Sequence, residues 1–334
     1  MIGGERMRGE LSGRSLAAAL GAACLLCALA SGCAGAPRKA DTSVRSEHNF
    51  FIDGPVGKLR VSDGGDPHSE RLPVVFLHGL GGDLETWRAQ LDHLRETRRA
   101  IAFDARGHGQ SARAAPGTEA ASYTVEGLAD DIDAVANALG LQRFVLVGHS
   151  ISGCALQSYA ARYGRSVMIP ASGASPARRS GNPAGVVAVD AIGDFSRAGT
   201  PAEIAAFIQS DEAMQADPAK EAALFTEMLG PPARDATRAR VLQALGEMDP
   251  KAFAPLRASM AHFTPPLSSD LGVPLLIVEA ADNNFPVRFS SLYPSQAAVQ
   301  LPHVSHWLML DDAAAFNRVL DAFLERLDAA AHAP

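Results

Sequence analysis

The chain has 334 residues, of which 47% are hydrophobic and 20% are charged, and this composition is typical of a globular protein with a sizeable core. Its formal net charge of -7 is spread along the chain rather than gathered in runs. No basic stripe is present that would follow a phosphate backbone, so we expect no nucleic acid partner.

The first 33 residues have the composition of an export signal. Arginines precede the apolar run SLAAALGAACLLCALA, which is too short for a comfortable membrane span and right for a signal peptide. The segment ends in LASGC, Leu29 to Cys33, which resembles the bacterial lipobox, whose cysteine is acylated. Ordinary cleavage after residues 28–30 is the alternative. We favour lipidation of Cys33, and so expect an exported lipoprotein anchored to a bacterial membrane, on its periplasmic side or at the cell surface.

Residues 34–46 are polar and predict a tether between this anchor and a folded domain. Of the four cysteines, two lie inside the signal and Cys33 would be lipidated, which leaves Cys154 in the domain. One cysteine cannot form an intramolecular disulfide, and we expect Cys154 to be a small buried side chain.

Strand and helix patterns alternate from about residue 47. The segments EHNFFID and GKLRVSD predict an antiparallel pair, and LPVVFLHG, RRAIAFDA and RFVLVGHS are continuous apolar runs of the kind found in strands buried on both faces. Apolar residues at helical spacing separate the last two runs, between Val125 and Leu139. This alternation predicts an α/β fold with a mostly parallel sheet and helices on both faces.

Two less regular segments follow. Residues 165–185 are dense in Gly, Pro, Ser and Arg before the buried strand VVAVDAI, and the right-handed crossover rule puts them opposite the edge where α/β sites lie. We therefore expect no role for this loop, including Arg178 and Arg179. Between residues 193 and 272 strand patterns are absent and apolar residues fall at helical intervals, which predicts a helical cap before the strands VPLLIVEA and AAVQLP.

A serine and a glycine-rich turn each follow a predicted strand. Ser150 follows RFVLVGH in GHSISG, where a sharp strand-to-helix turn would expose its hydroxyl group. Its alternative role is that of an ordinary helix N-cap. The turn HGLGG, residues 78–82, lets a backbone amide point into a site, and we expect the amides of Leu80 and Ile151 to bind an oxyanion.

The remaining groups of a nucleophilic site follow the last two strands. Asp282 in IVEAADNNFP is the candidate acid, and His306 in LPHVSHWLMLDD is the candidate base. Glu279 and Asp194 are alternatives for the acid, and His303 is the alternative for the base. The two histidines do not predict a metal site, because no third ligand stands nearby.

The motifs HGLGG, DARGHGQS, GHSISG, EAAD and SHWLMLD, in this order, resemble those of the α/β-hydrolase superfamily, in its branch of capped hydrolases. The resemblance covers roughly residues 47–327 and implies an α/β-hydrolase fold, with a core at 47–192 and 273–327 and a cap at 193–272. The chain departs from the motifs where Ser152, Glu279 and Ser305 replace glycines and Asp311 replaces a glutamate.

The resemblance implies a serine hydrolase that cleaves carboxylic esters through an acyl-enzyme, with Ser150 as nucleophile, His306 as base and Asp282 as acid, and with no cofactor or metal. Hydrolysis of C–C or amide bonds, perhydrolysis and acyl transfer use the same groups, and a non-catalytic ligand-binding protein is a further alternative. The cap predicts a small-molecule substrate with an apolar acyl group, because it supplies apolar side chains for a pocket: Phe207, Phe225, Met228, Met260 and Phe263.

Overall fold

A computed structural model of the protein describes residues 47–163, 181–194, 200–203, 205–206, 209, 218–264, 271–282 and 288–332. The predicted signal peptide with Cys33, the tether at 34–46, Phe207, and the loop residues Arg178 and Arg179 lie outside these residues. Export, lipidation and the role of that loop therefore stay predictions. Among the helices in the described part of the chain, none is long and apolar enough to cross a membrane.

Eight strands form one sheet in the order β1-β2-β4-β3-β5-β6-β7-β8. β1 pairs with β2 and β2 with β4 in antiparallel fashion, and the other neighbours are parallel. The predicted mostly parallel sheet is therefore confirmed. The strands are β1 Glu47–Gly54, β2 Gly57–Gly64, β3 Val74–Leu77, β4 Ala100–Phe103, β5 Arg143–His149, β6 Asn182–Val189, β7 Leu275–Ala280 and β8 Ala298–Leu301.

Helices flank this sheet, and a short 3-10 helix, Leu84–Trp87, precedes the first of them. The α-helices are α1 Arg88–Leu94, α2 Glu119–Ser122, α3 Val125–Ala138, α4 Ser152–Tyr163, α5 Pro218–Leu229, α6 Asp235–Glu247, α7 Phe253–Ala261, α8 Phe289–Leu292, α9 Leu308–Asp311 and α10 Ala313–Ala331.

The apolar runs of the sequence become the centre of the sheet. Every residue of β3 and β4 is buried, and in β5 only the first residue is exposed. Burial of a continuous apolar strand on both faces removes its side chains from water, which is the main driving force for this arrangement. β6 begins at Asn182, earlier than the apolar run predicts, and its register against β5 shifts between Phe144 and Val145.

The segment between β6 and β7 contains α5, α6 and α7, and its described residues include no strand. Two hydrogen bonds join this segment to residues that follow β8. The Met228 carbonyl accepts from the His306 amide at 3.5 Å, and the Arg234 amide donates to the Asp311 carboxylate at 3.0 Å. These helices therefore lie against the candidate site. The division of the chain into core and cap at residues 193 and 272 stays a prediction.

Candidate active site

The carboxyl ends of the parallel strands meet at one edge of the sheet, so the residues that follow them lie close together. The HGLGG turn follows β3, Ser150 follows β5, and Asp190 follows β6. In the register of β5 and β6, His149 pairs with Val189, so the next residues of the two strands, Ser150 and Asp190, emerge side by side. This edge of the sheet carries the candidate site.

Ser150 occupies a strained turn between β5 and α4. Its φ angle is 56°, in the left-handed region that a non-glycine residue rarely adopts. Backbone hydrogen bonds hold this conformation: the Ser150 amide donates to Val189 at 3.1 Å, and its carbonyl accepts from Gly153 and Ile192, both at 2.9 Å. Such a turn directs the side chain away from the sheet, as expected for a nucleophile.

The position of the glycine in GHSISG has a steric cause. A Cβ atom at residue 153 would lie 2.1 Å from the carbonyl oxygen of Ile192, so α4 passes the chain after β6 too closely for any side chain. Ser152 faces elsewhere, because its hydroxyl group donates to the His78 carbonyl at 2.6 Å. The glycine is therefore required at 153, and the serine that replaces glycine at 152 fits without crowding this contact.

His306 is paired with Asp190. The two side chains are buried, and His306 Nδ1 lies 2.7 Å from Asp190 Oδ2. The other carboxylate oxygen of Asp190 accepts from the Ala280 amide at 3.0 Å. Because Nδ1–H donates to the carboxylate, Nε2 of His306 carries the lone pair that a general base needs.

The prediction that Asp282 holds His306 is wrong in this structure. Asp282 is exposed, two residues beyond the end of β7, whereas Asp190 occupies the place against the imidazole. The sequence signal for Asp190 was a carboxylate directly after the apolar run VVAV. The EAAD motif instead indicates an acid after the following strand, and the two parallel neighbours bring both strand ends to the same edge.

The alternative residues also lie elsewhere. Glu279 is buried within β7, where its carboxylate accepts from the Ser290 amide and hydroxyl group and from Gln300. The alternative base, His303, is exposed in a turn with a φ angle of 60°. Glu279 thus stabilises the end of the sheet, and His306 is the histidine that the structure pairs with a carboxylate.

His149 connects the nucleophile turn with the base. Its Nε2–H donates to the His306 carbonyl at 2.9 Å, and the two rings pack with centroids 4.4 Å apart. Burial lowers the pKa of His149 well below its ordinary value, and the neighbouring His306 adds to this effect. His149 therefore stays neutral, and it supports the base without competing for its proton.

The directions of the two predicted oxyanion donors, the amides of Leu80 and Ile151, are fixed by hydrogen bonds to the carbonyls of the same peptide groups. In a trans peptide the C=O and N–H point in opposite directions, so fixing the carbonyl also aims the following amide. The Gly79 carbonyl accepts from the Gly82 amide at 3.0 Å, and the Ser150 carbonyl accepts from two amides. Within the described residues, neither the Leu80 nor the Ile151 amide has an acceptor. Both are thus preorganised donors.

His78 adds a second hold on the Gly79 carbonyl. Its Nε2 accepts from the Ala105 amide at 3.0 Å, so the ring proton resides on Nδ1, which donates to Gly79 at 2.8 Å. Burial lowers the pKa of His78 to about 4. The hydrogen bond to Gly79 raises this pKa, and the positive charge of Arg240 lowers it further. His78 is therefore a neutral imidazole. By holding the Gly79 carbonyl, it also fixes the direction of the Leu80 amide in the same peptide group.

The departures at Ser305 and Asp311 form one hydrogen-bonded unit before His306. Asp311 Oδ2 accepts from the Ser305 amide at 2.8 Å and from its hydroxyl group at 2.5 Å. The same hydroxyl oxygen accepts from the Trp307 amide at 3.2 Å. Residues on both sides of His306 are thus held by side chains.

The DARGHGQS motif braces the neighbouring loop. Asp104 accepts from the amides of Leu84 and Gln110, both at 2.8 Å, and burial raises its pKa to about 6. Arg106 and Asp131 form a buried ion pair at 2.7 Å.

In the described part of the chain, no group of three or more His, Cys, Asp or Glu residues is arranged to hold a metal ion. Cys154 is buried, as predicted, and is a free cysteine.

Curated proteins match part of this chain. The bifunctional esterase/perhydrolase DCH of Acinetobacter calcoaceticus is 42% identical over 93 residues, which are 27% of this chain and 32% of that protein. The 1-acylglycerol-3-phosphate O-acyltransferase ABHD5 of Homo sapiens is 34% identical over 96 residues, which are 28% of this chain and 27% of that protein. The chain matches about a third of the length of such relatives.

Solved structures show the same fold over most of the chain. An esterase from Thermogutta terrifontis has a TM-score of 0.63 at 20% identity, covering 84% of this chain and 99% of that one. The enol-lactonase from Burkholderia xenovorans LB400 has a TM-score of 0.59 at 21% identity, covering 83% and 100%. A family model for the Alpha/beta hydrolase family matches residues 74–319. With a match over more than half of its length, this chain belongs to the Alpha/beta hydrolase family.

Proposed function

We propose that this protein is a serine hydrolase that cleaves carboxylic esters, with Ser150 as nucleophile, His306 as general base and Asp190 as the acid that orients His306. The observation that carries the proposal is the buried 2.7 Å contact between His306 Nδ1 and Asp190, next to a serine with a φ angle of 56°. A hydroxyl group, an oriented imidazole and preorganised amide donors are the parts that nucleophilic acyl chemistry needs.

The reaction has two acyl-transfer steps. Ser150 Oγ attacks the ester carbonyl while His306 Nε2 takes its proton, and Asp190 stabilises the imidazolium that forms. The amides of Leu80 and Ile151 bind the oxyanion of the tetrahedral intermediate. His306 then protonates the leaving alcohol, which departs and leaves an acyl-serine ester. Water attacks this ester with His306 as base, and the acid product is released as Ser150 recovers its proton.

An apolar acyl group suits the surroundings of the oxyanion segment. A Cβ atom at Gly81 would lie 2.8 Å from the Phe225 ring and 3.0 Å from Leu245, so apolar side chains of α5 and α6 cover the residue next to Leu80. Phe225 also packs against Trp307, with ring centroids 5.7 Å apart. The bifunctional esterase/perhydrolase DCH is among the proteins similar to this chain. We therefore propose small, uncharged acyl esters as substrates.

Of the predicted pocket residues, Phe225, Met260 and Phe263 are all buried in the hydrophobic core, and Phe225 also reaches this segment. We propose further that Cys33 carries a lipid anchor and that the domain acts on the outer side of a bacterial membrane. This part of the proposal rests on the lipobox-like LASGC sequence.

Hydrolysis of p-nitrophenyl esters by the purified protein tests the activity. Ser150→Ala should lower kcat by at least about 10⁴-fold, since the nucleophile is removed. Ser158→Ala is a matched control, because Ser158 is a buried serine on the same helix that follows Ser150. Wild-type protein that is folded and does not hydrolyse any acyl ester, or a fully active Ser150→Ala variant, would overturn the proposal.

A further inference from the structure

Ser152 is a departure from the hydrolase motif whose side chain has a definite partner. It is completely buried, and its hydroxyl group donates to the His78 carbonyl at 2.6 Å. A glycine at this position, which the motif favours, has no group that makes this bond. The contact spans 74 residues of sequence and joins the start of α4 to the turn after β3.

The bond connects the two segments that carry the oxyanion donors. Ser152 directly follows Ile151, and His78 lies two residues before Leu80. The His78 side chain in turn holds the Gly79 carbonyl, and with it the direction of the Leu80 amide. One hydroxyl group therefore links the backbone on both sides of the site where the oxyanion would form.

We propose that Ser152 is a positioning residue that sets the separation of the Leu80 and Ile151 amides, so that both reach one tetrahedral oxyanion. This inference rests on the proposed hydrolase function. Ser152 does not touch substrate; it acts through the two segments that it joins. The bond is short and excluded from water, which favours a strong and directional interaction.

The size of the effect follows from the oxyanion geometry. Loss of a whole oxyanion donor costs about 10²- to 10³-fold in kcat, and a displacement of about 1 Å costs up to about 10²-fold. Without the hydroxyl group both donors remain but their spacing relaxes by a fraction of this distance. We therefore expect Ser152→Ala to lower kcat about tenfold.

Ser152→Ala removes the donor and adds no volume. A larger side chain is unsuitable as a test, because Ser152 is completely buried and added volume would strain the surrounding packing. Ser152→Gly, which restores the residue of the motif, is a second variant with the same loss of the hydroxyl group. Ser158→Ala is again the matched control on α4.

The test compares turnover with binding of a trifluoromethyl ketone, whose hemiketal adduct with Ser150 places an oxyanion between the two amides. For Ser152→Ala and Ser152→Gly we expect kcat and ketone affinity to fall together, about tenfold, while KM changes by less than about twofold. The acid product, which has no tetrahedral oxyanion, should inhibit both variants and wild type equally. Ser158→Ala should match wild type in every measurement.

Unchanged kcat and ketone affinity in a folded Ser152 variant would overturn this inference. So would a fall in kcat with unchanged ketone affinity, since the two amides would then still bind the hemiketal oxyanion as well as in wild type. A wild-type protein that neither turns over esters nor binds the ketone would instead contradict the proposed function.

Discussion

Replacing Asp190 with asparagine should disable His306 through its tautomer. The Ala280 amide donates to Asp190 Oδ1, and it would keep the carbonyl oxygen of the new amide on that side. The NH2 group would then face His306 Nδ1, where the carboxylate oxygen now lies 2.7 Å away. A donor at this position favours the tautomer with its proton on Nε2, and that tautomer cannot accept the proton of Ser150.

We expect Asp190→Asn to lower kcat about 10⁴-fold, which corresponds to about 5.5 kcal/mol of transition-state stabilisation. KM should change little, because neither carboxylate oxygen faces the substrate. The assay is steady-state hydrolysis of p-nitrophenyl butyrate, with thermal unfolding as a check on folding.

Asp282→Asn is the matched control, since Asp282 is exposed and was the acid predicted from the sequence. This variant should retain activity within about twofold of wild type. An active Asp190→Asn enzyme, or a large loss in Asp282→Asn, would refute the reasoning from the structure.

Three other predictions concern stability, location and substrate. Burial lowers the pKa of His108 from 6.5 to about 3. Between these pH values the unfolded chain therefore binds one proton more than the folded chain. The free energy of unfolding thus falls by up to about 5 kcal/mol as the pH drops from 6.5 to about 3. His108→Asn should flatten this loss in urea titrations at several pH values, and an unchanged slope would contradict it. Cys33→Ser should move the protein from the membrane to the soluble periplasmic fraction; a soluble wild type would disprove the anchor. Butyryl esters should exceed acetyl esters about tenfold in kcat/KM, because each buried methylene contributes about 0.8 kcal/mol, and equal values would argue against an apolar acyl pocket.

The sheet and most of the candidate site could be predicted because local patterns determine them. The apolar runs around Val75 and Leu146 predict strands buried on both faces, and the structure buries both residues. A serine after such a run lies at a strand-to-helix turn, and the structure places Ser150 in that turn. His306 likewise follows a strand, and the structure pairs it with the carboxylate of Asp190, while its role as base stays a prediction.

The identity of that carboxylate could not be read from the chain, because it depends on which strand end the loop after β8 approaches. β6 lies between β5 and β7, so Asp190 is beside Ser150 while Asp282 lies one strand further away. Contacts between residues far apart in sequence, such as that of Ser152 with His78, could not be predicted from local sequence patterns either. A departure from a motif shows that a local interaction has changed, but only the packed structure shows its new partner.

Covalent labelling of the active serine tests the central claim most directly. Wild-type protein is treated with a fluorophosphonate probe, and the modified peptide is identified by mass spectrometry. A hydroxyl group reacts with the probe rapidly only when a base and an oxyanion site activate it. We predict a single adduct on Ser150, slow labelling in Asp190→Asn and normal labelling in Asp282→Asn. Folded wild-type protein that remains unlabelled, or that is labelled at a residue other than Ser150, would contradict the account.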